Sequence, residues 1–149
     1  MLKSSKLIAF WIGCTVSVFA QVPRNPCPSS GLQPVIVYSV RGGQTGTTTS
    51  WSLLQDGTVC SANHVVGRLS SDSVRRLLDE ITAAGFFNLK ESYKDAKAAK
   101  LCHQCNYYKT TVQSGNRSKT VQTNDGAKNV PRSLWEINSR IQQQLKLAK

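Results

Sequence analysis

The feature that most narrows the fold is a pattern met twice along the chain, a β-hairpin signal followed by an amphipathic helix. Asp56-Gly57 parts two short runs rich in β-branched and apolar residues, 50–55 and 58–66. Asp-Gly marks a tight hairpin because such turns use left-handed backbone, which glycine adopts without a Cβ penalty. Gly115-Asn116 sits in the same way between 107–114 and 117–123. An earlier run, Pro34–Val40 (PVIVYSV), reads as a first strand that stops at Arg41-Gly42-Gly43. Gly67 is expected to close the strand over 58–66.

Each hairpin is followed by a stripe of helical period. Val74, Leu77, Leu78 and Ile81 fall at i, i+3, i+4 and i+7, which places them on one face. Ser70 or Ser71 supplies an N-cap oxygen, Asp72 suits the positive end of the helix dipole, and Gly85 suits the left-handed stop. Phe86, Phe87 and Leu89 add apolar bulk just beyond. A second helix opens near Pro131, tolerated where no backbone donor is needed, with Val130, Leu134, Ile137, Ile141 and Leu145 as its stripe. Between the helices, Glu91–Lys100 reads as a short irregular helix or a loop. The expected architecture is α+β: an antiparallel sheet of about five strands in the order β-β-β-α-β-β-α, with two amphipathic helices on one face. It forms a single domain over residues 34–149.

The N-terminus reads as a secretory signal over residues 1–20. Lys3 and Lys6 precede an apolar run from Leu7 to Phe19, and Val18-Phe19-Ala20 offers small residues for cleavage before Gln21. A bilayer span needs roughly 20 apolar residues, more than this run holds. Lipid attachment at Cys14 is the alternative, against which Trp11 and the apolar residues past the cysteine both speak. Residues 21–33 form a Pro/Ser-rich N-terminal tail. The expected destination is secreted or periplasmic, with no stable membrane insertion after signal removal and a monomeric product.

Export also frames the cysteines. Once Cys14 leaves with the signal, Cys27, Cys60, Cys102 and Cys105 remain, an even set suited to two disulfides in an oxidising compartment, although four cysteines allow three pairings. Proximity in sequence favours Cys102–Cys105, which leaves Cys27–Cys60. A redox reading of Cys102-His103-Gln104-Cys105 would need a helix N-terminus to stabilise the thiolate, and the sequence runs instead into a strand. A zinc reading would join Cys102 and Cys105 to Cys60, His64 or His103. Bridging is favoured over both, so no metal and no cofactor are expected.

Charge and motifs then limit function. The chain carries a net charge of +11, and the excess lies late: from Lys90 onward twelve Lys and Arg stand against four Asp and Glu. Such a half suits an acidic partner or an anionic surface. Nucleic acid is not expected, because no recognisable binding module surrounds Tyr107 and Tyr108. There is no Gly-x-Ser-x-Gly turn and no phosphate-binding glycine loop, and His64 and His103 are the only imidazole bases. The chain therefore reads as a non-enzyme. Asn116-Arg117-Ser118 is a glycosylation sequon at the expected hairpin tip, a triplet that also arises often by chance.

Several of these motifs, in this order, resemble emfourin-like domains. The likeness rests on Val35–Val40 followed by Arg41-Gly42-Gly43, on Asp56-Gly57, and on Leu69-Ser70-Ser71 leading to a helix that ends Gly85-Phe86-Phe87-Asn88-Leu89. It continues with Tyr107-x-x-Thr110-Thr111-Val112, Lys119-Thr120-Val121 and Pro131-x-x-Leu134. Emfourin is a small bacterial protein inhibitor of thermolysin-like metallopeptidases, so the resemblance implies a secreted metallopeptidase as partner. No inhibitory residue is carried over from it.

The expected function is a secreted, non-catalytic protein-binding module, with metallopeptidase inhibition as its narrower form. The rival expectation is a basic structural or envelope-associated domain that adheres to anionic cell-surface polymer. Long polar loops on a rigid sheet commonly carry recognition. The expected binding residues are Arg41, Gly42, Gly43, Gln44 and Thr45 in the 41–49 loop, with His103 in the 91–103 loop.

Overall fold

The computed structural model describes Cys27 and residues 32–42, 46–94 and 104–147. The signal over residues 1–20 and most of the 21–33 tail lie outside the described residues. Six strands are present: β1 (Pro34–Arg41), β2 (Thr48–Leu54), β3 (Thr58–Ser61), β4 (His64–Arg68), β5 (Tyr107–Ser114) and β6 (Arg117–Asn124). Helix α1 spans Ser71–Ala83, a 3-10 turn spans Phe86–Asn88, and α2 spans Arg132–Leu147. One antiparallel sheet runs β4-β3-β2-β1-β5-β6. The class is α+β, as the hairpin and helix patterns predict.

The strand count corrects the sequence reading. The run over 58–66 is two strands, because Ala62 and Asn63 adopt φ of 48° and 64° and turn the chain back. Left-handed backbone at both central positions is what a two-residue primed hairpin needs. Asparagine tolerates that conformation, but alanine carries no such signal. Gly67 does not close a strand; it lies inside β4 opposite Val59, beside a shift of register.

β1 is an inner strand, paired on both sides. Ile36 faces Leu53 of β2 and Val112 of β5, and Tyr38 faces Trp51 and Thr110. These positions share a face because side chains alternate along a strand. On that face the core joins Ile36, Tyr38, Leu53, Val59, Val112 and Val121 to Val74, Leu77 and Ile81 of α1 and to Leu134, Ile137, Ile141 and Leu145 of α2. Leu78, expected in the same stripe, is only half-buried and packs at the margin.

Helix α1 starts and stops as its sequence dictates. Ser70 is extended (φ −69°, ψ 152°) and its Oγ accepts from Ser73 N–H at 3.2 Å, the N-cap of α1. Gly85, at φ 81°, leads the chain out of α1 into the 3-10 turn, where Phe86 is fully buried. Before α1, Leu69 N–H donates to the Gly57 carbonyl at 2.8 Å, which ties the start of the helix to the β2–β3 turn. Cys27 is bonded to Cys60 with Cα atoms 5.8 Å apart, and its N–H donates to Asn63 C=O at 2.8 Å. By restricting the unfolded chain this bridge contributes about 2–4 kcal/mol. Among the described residues, no helix is long and apolar enough to cross a membrane.

Candidate binding surface at the loop end of the sheet

The antiparallel register gathers both expected loops at one end of the sheet. Arg41, the last residue of β1, pairs with Thr48 on one side and Tyr107 on the other, and Tyr107 pairs with Asn124. The 41–49 loop therefore leaves beside the point where the chain returns through Cys105 and Asn106. Gly42 N–H donates to Thr47 C=O at 2.9 Å, so the loop is pinched shut at its base. Gly46 takes φ 61° on the return side. Of the expected binding residues, Arg41 and Gly42 hold this base, while Gly43, Gln44, Thr45 and His103 lie outside the described residues.

Polar groups fix the second loop where it rejoins the sheet. Asn106 N–H donates to Asp125 Oδ2 at 2.9 Å, and Asp125 N–H donates to Asn106 C=O at 3.2 Å. Cys105 is buried and disulfide-bonded. The expected Cys102–Cys105 pairing rests on Cys102, which lies outside the described residues. Tyr108 packs edge-on against Trp135 of α2 with ring centres 5.4 Å apart. Burial pushes its phenol up to about 12, helped by a hydrogen bond to Asp125 and by that carboxylate's charge. Burial also raises the Tyr38 phenol, while its hydrogen bond from the Gln142 amide acts the other way. Both phenols therefore stay protonated near neutral pH, and neither is available as a phenolate nucleophile or base.

Between the loop base and the end of α2 opens a cleft of about 340 Å3. Val40, Trp51 and Leu145 give it apolar walls, and Thr49, Gln142 and Lys146 give it a polar rim. Trp51 is held by stacking on Tyr38, with centroids 6.1 Å apart. Lys146 on that rim is exposed, and among the described residues it has no ion-pair partner. A larger groove of about 720 Å3 follows the crease between α1 and α2. Its charges already serve one another, Arg140 with Glu80 at 2.5 Å and Arg132 with Glu136 at 2.7 Å. The smaller cleft is the better candidate because its rim cation, Lys146, is unspent and it adjoins the closed base of the 41–49 loop.

The zinc set considered from sequence loses a member, since the Cys60 sulfur is committed to Cys27. His64 sits half-buried at the start of β4, opposite Ser61. No group of three or more His, Cys, Asp or Glu stands at metal-binding distance among the described residues. No family model and no curated protein matches the chain.

Proposed function

We propose that the chain is an exported, non-catalytic binding module that holds a protein partner at the loop end of its sheet, and that it acts as an inhibitor of a secreted thermolysin-like metallopeptidase. The observation that carries this reading is the closed base of the 41–49 loop. A loop closed at its base loses less freedom on binding, a cost that a rigid inhibitor avoids. The adjoining cleft gives a partner side chain an apolar seat, with Lys146 on its rim for a carboxylate. The emfourin resemblance supplies the enzyme class.

The test is stoichiometric inhibition of a panel of secreted metallopeptidases by the intact protein, repeated with the 43–45 segment replaced by serines and with Trp51→Ala. Loss of inhibition in both variants supports the site. An intact protein without effect at micromolar concentration on the whole panel removes the inhibitor reading. Binding to anionic cell-surface polymer that collapses as salt rises would favour the basic adhesive reading, because screened charge contacts fade while packed interfaces persist.

A further inference from the structure

β6 is an edge strand whose outer edge is used over only part of its length. Gln122 N–H donates to Glu91 C=O at 2.9 Å, and Tyr93 N–H donates to Gln122 C=O at 2.8 Å. The short segment Glu91–Tyr93 thus lies parallel to β6 as a bridge at Ser92. In an antiparallel ladder the outward-facing groups recur at every second residue, so Ser118 and Thr120 present their N–H and C=O on the same side as Gln122. The contact of 2.8 Å between Thr111 Oγ1 and Thr120 Oγ1 marks the close, non-hydrogen-bonded kind of pair that this requires. Among the described residues those backbone groups have no partner. The parallel direction brings the chain in past this stretch, where Phe87 flanks the edge, and leads it out through Tyr93 toward the Asn124 end of β6.

Alongside the open stretch runs a groove of about 650 Å3, lined by Phe87, Glu91, Arg117, Lys119, Thr120 and other edge residues. The Arg117 guanidinium lies 4.4 Å from the centre of the half-buried Phe87 ring. The groove therefore offers main-chain donors and acceptors, one aromatic surface and two cations, with the single Glu91 carboxylate at the end where the chain joins β6.

We propose that the 117–120 edge of β6 receives an extended acidic segment of a partner protein as an added strand. Main-chain pairing to Ser118 and Thr120 would supply affinity, and alternate side chains would meet Phe87 or the cations. The molecule already uses this mode on itself one step along the same edge. A second copy of the chain is a poor occupant: strand-to-strand self-pairing about a two-fold axis brings Arg117 and Lys119 close to their own counterparts, and like charges across a strand pair repel. Basic residues on an edge also discourage indiscriminate pairing. An acidic strand turns the same two charges into attraction. This surface is separate from the 41–49 loop, and the inference does not depend on the inhibitor reading.

The test uses isotope-labelled full-length protein titrated with a synthetic peptide of alternating valine and glutamate, and with its valine–lysine counterpart. Amide shifts and slowed exchange should centre on Ser118 and Thr120, with a preference of about tenfold or more for the glutamate peptide. Thr120→Pro removes an outward donor that the β5–β6 ladder does not use, and edges tolerate proline; it should weaken binding at least about tenfold. The double change Arg117→Glu with Lys119→Glu should reverse the peptide preference without touching the backbone. Unshifted Ser118 and Thr120 amides, equal binding of both peptides, or unchanged binding after either variant overturns the proposal. So does a dimer of the free protein that Thr120→Pro disperses, which would assign the edge to a second copy.

Discussion

Helix α1 meets the core through apolar side chains, Val74, Leu77 and Ile81 with Leu78 at the margin, whereas α2 adds polar bonds to its apolar stripe. Thr110 Oγ1 on β5 donates to Asn138 Oδ1 at 2.7 Å, and the Gln142 amide donates to the Tyr38 hydroxyl on β1. The difference bears on how each helix finds its place. Apolar contact is non-directional, so a stripe alone leaves rotation and axial position loosely set. For α1 the missing information comes from its covalent lead-in, clamped by the Leu69–Gly57 hydrogen bond. For α2, which follows an irregular stretch, side-chain hydrogen bonds to two neighbouring strands do the same work.

The largest expected effect tests the clamp. A Cβ placed on Gly57 would lie 2.0 Å from the Leu69 carbonyl oxygen, at a φ of +87°. Gly57→Ala should therefore cost about 3–5 kcal/mol, since strain and a backbone collision add. Gly85 has a similar φ of +81° but nothing within 4 Å of its added Cβ, so Gly85→Ala should cost only about 1–2 kcal/mol. Urea denaturation of both variants separates collision from strain. Equal losses would show that the clamp is not what seats α1.

Next in size is the apolar contribution, which should not distinguish the helices. Ile81 and Ile141 are 1% and 0% exposed, and truncation of either to alanine should cost about 2–5 kcal/mol through lost transfer energy and a residual cavity. A much smaller loss for Ile141→Ala would mean that the polar bonds, rather than the stripe, hold α2 down.

Those polar bonds give a smaller effect with a distinct signature. Asn138→Ala leaves the buried Thr110 hydroxyl without its acceptor and should cost about 1–3 kcal/mol. Among the described residues, Asn138 Nδ2 and Thr123 Oγ1 are themselves buried without a hydrogen-bond partner, so the polar layer is imperfectly satisfied. Replacing both partners with apolar residues, Thr110→Val with Asn138→Leu, should recover most of the loss. Stability that recovers while α2 amides exchange faster would assign the layer to positioning rather than to stability.

What the sequence made legible follows the same division. Hairpin turns at Asp56-Gly57 and Gly115-Asn116, and the stripes of both helices, are local patterns with a local cause. The turn at Ala62-Asn63 was not legible, because an alanine in left-handed backbone is imposed by the flanking strand pairing and not by its own preference. Nor was the Glu91–Tyr93 bridge, which is made by main-chain atoms and leaves no mark on side-chain choice. At the loop end, Arg41 and Gly42 were identifiable from the break after a β-branched run. The cleft beside them joins Trp51 to Gln142, Leu145 and Lys146, residues remote in sequence that only sheet order and helix docking bring together. Tyr108 falls in the strand run over 107–114, and nothing in the sequence signals that it meets Asp125.

The smallest effect separates the two sides by pH. Beside the α1 clamp, the Asp56 carboxylate accepts from the Thr58 backbone N–H and, at its other oxygen, from the Thr58 hydroxyl, both at 2.9 Å. That backbone bond leads the causes that hold its pKa below the usual carboxylate range. Its stabilising contribution is present above the unfolded value and is lost as pH falls through the folded one. Because the Asp56 side chain is 38% exposed, the slope should be shallow. Beside α2 the sign is opposite in pH. The Tyr108 phenol ionises near 10 when unfolded but is held up to about 12 in the fold, by burial first and then by Asp125. Between those values the folded state keeps a proton that the unfolded state has released, so stability falls as pH rises through that window. Unfolding free energies measured across both ranges should show Asp56→Asn flattening only the acid slope and Tyr108→Phe only the alkaline one. An alkaline slope that survives Tyr108→Phe would move that titration to Tyr38, whose phenol burial also raises, and would place the pH-sensitive contact of α2 at Gln142 instead of Trp135.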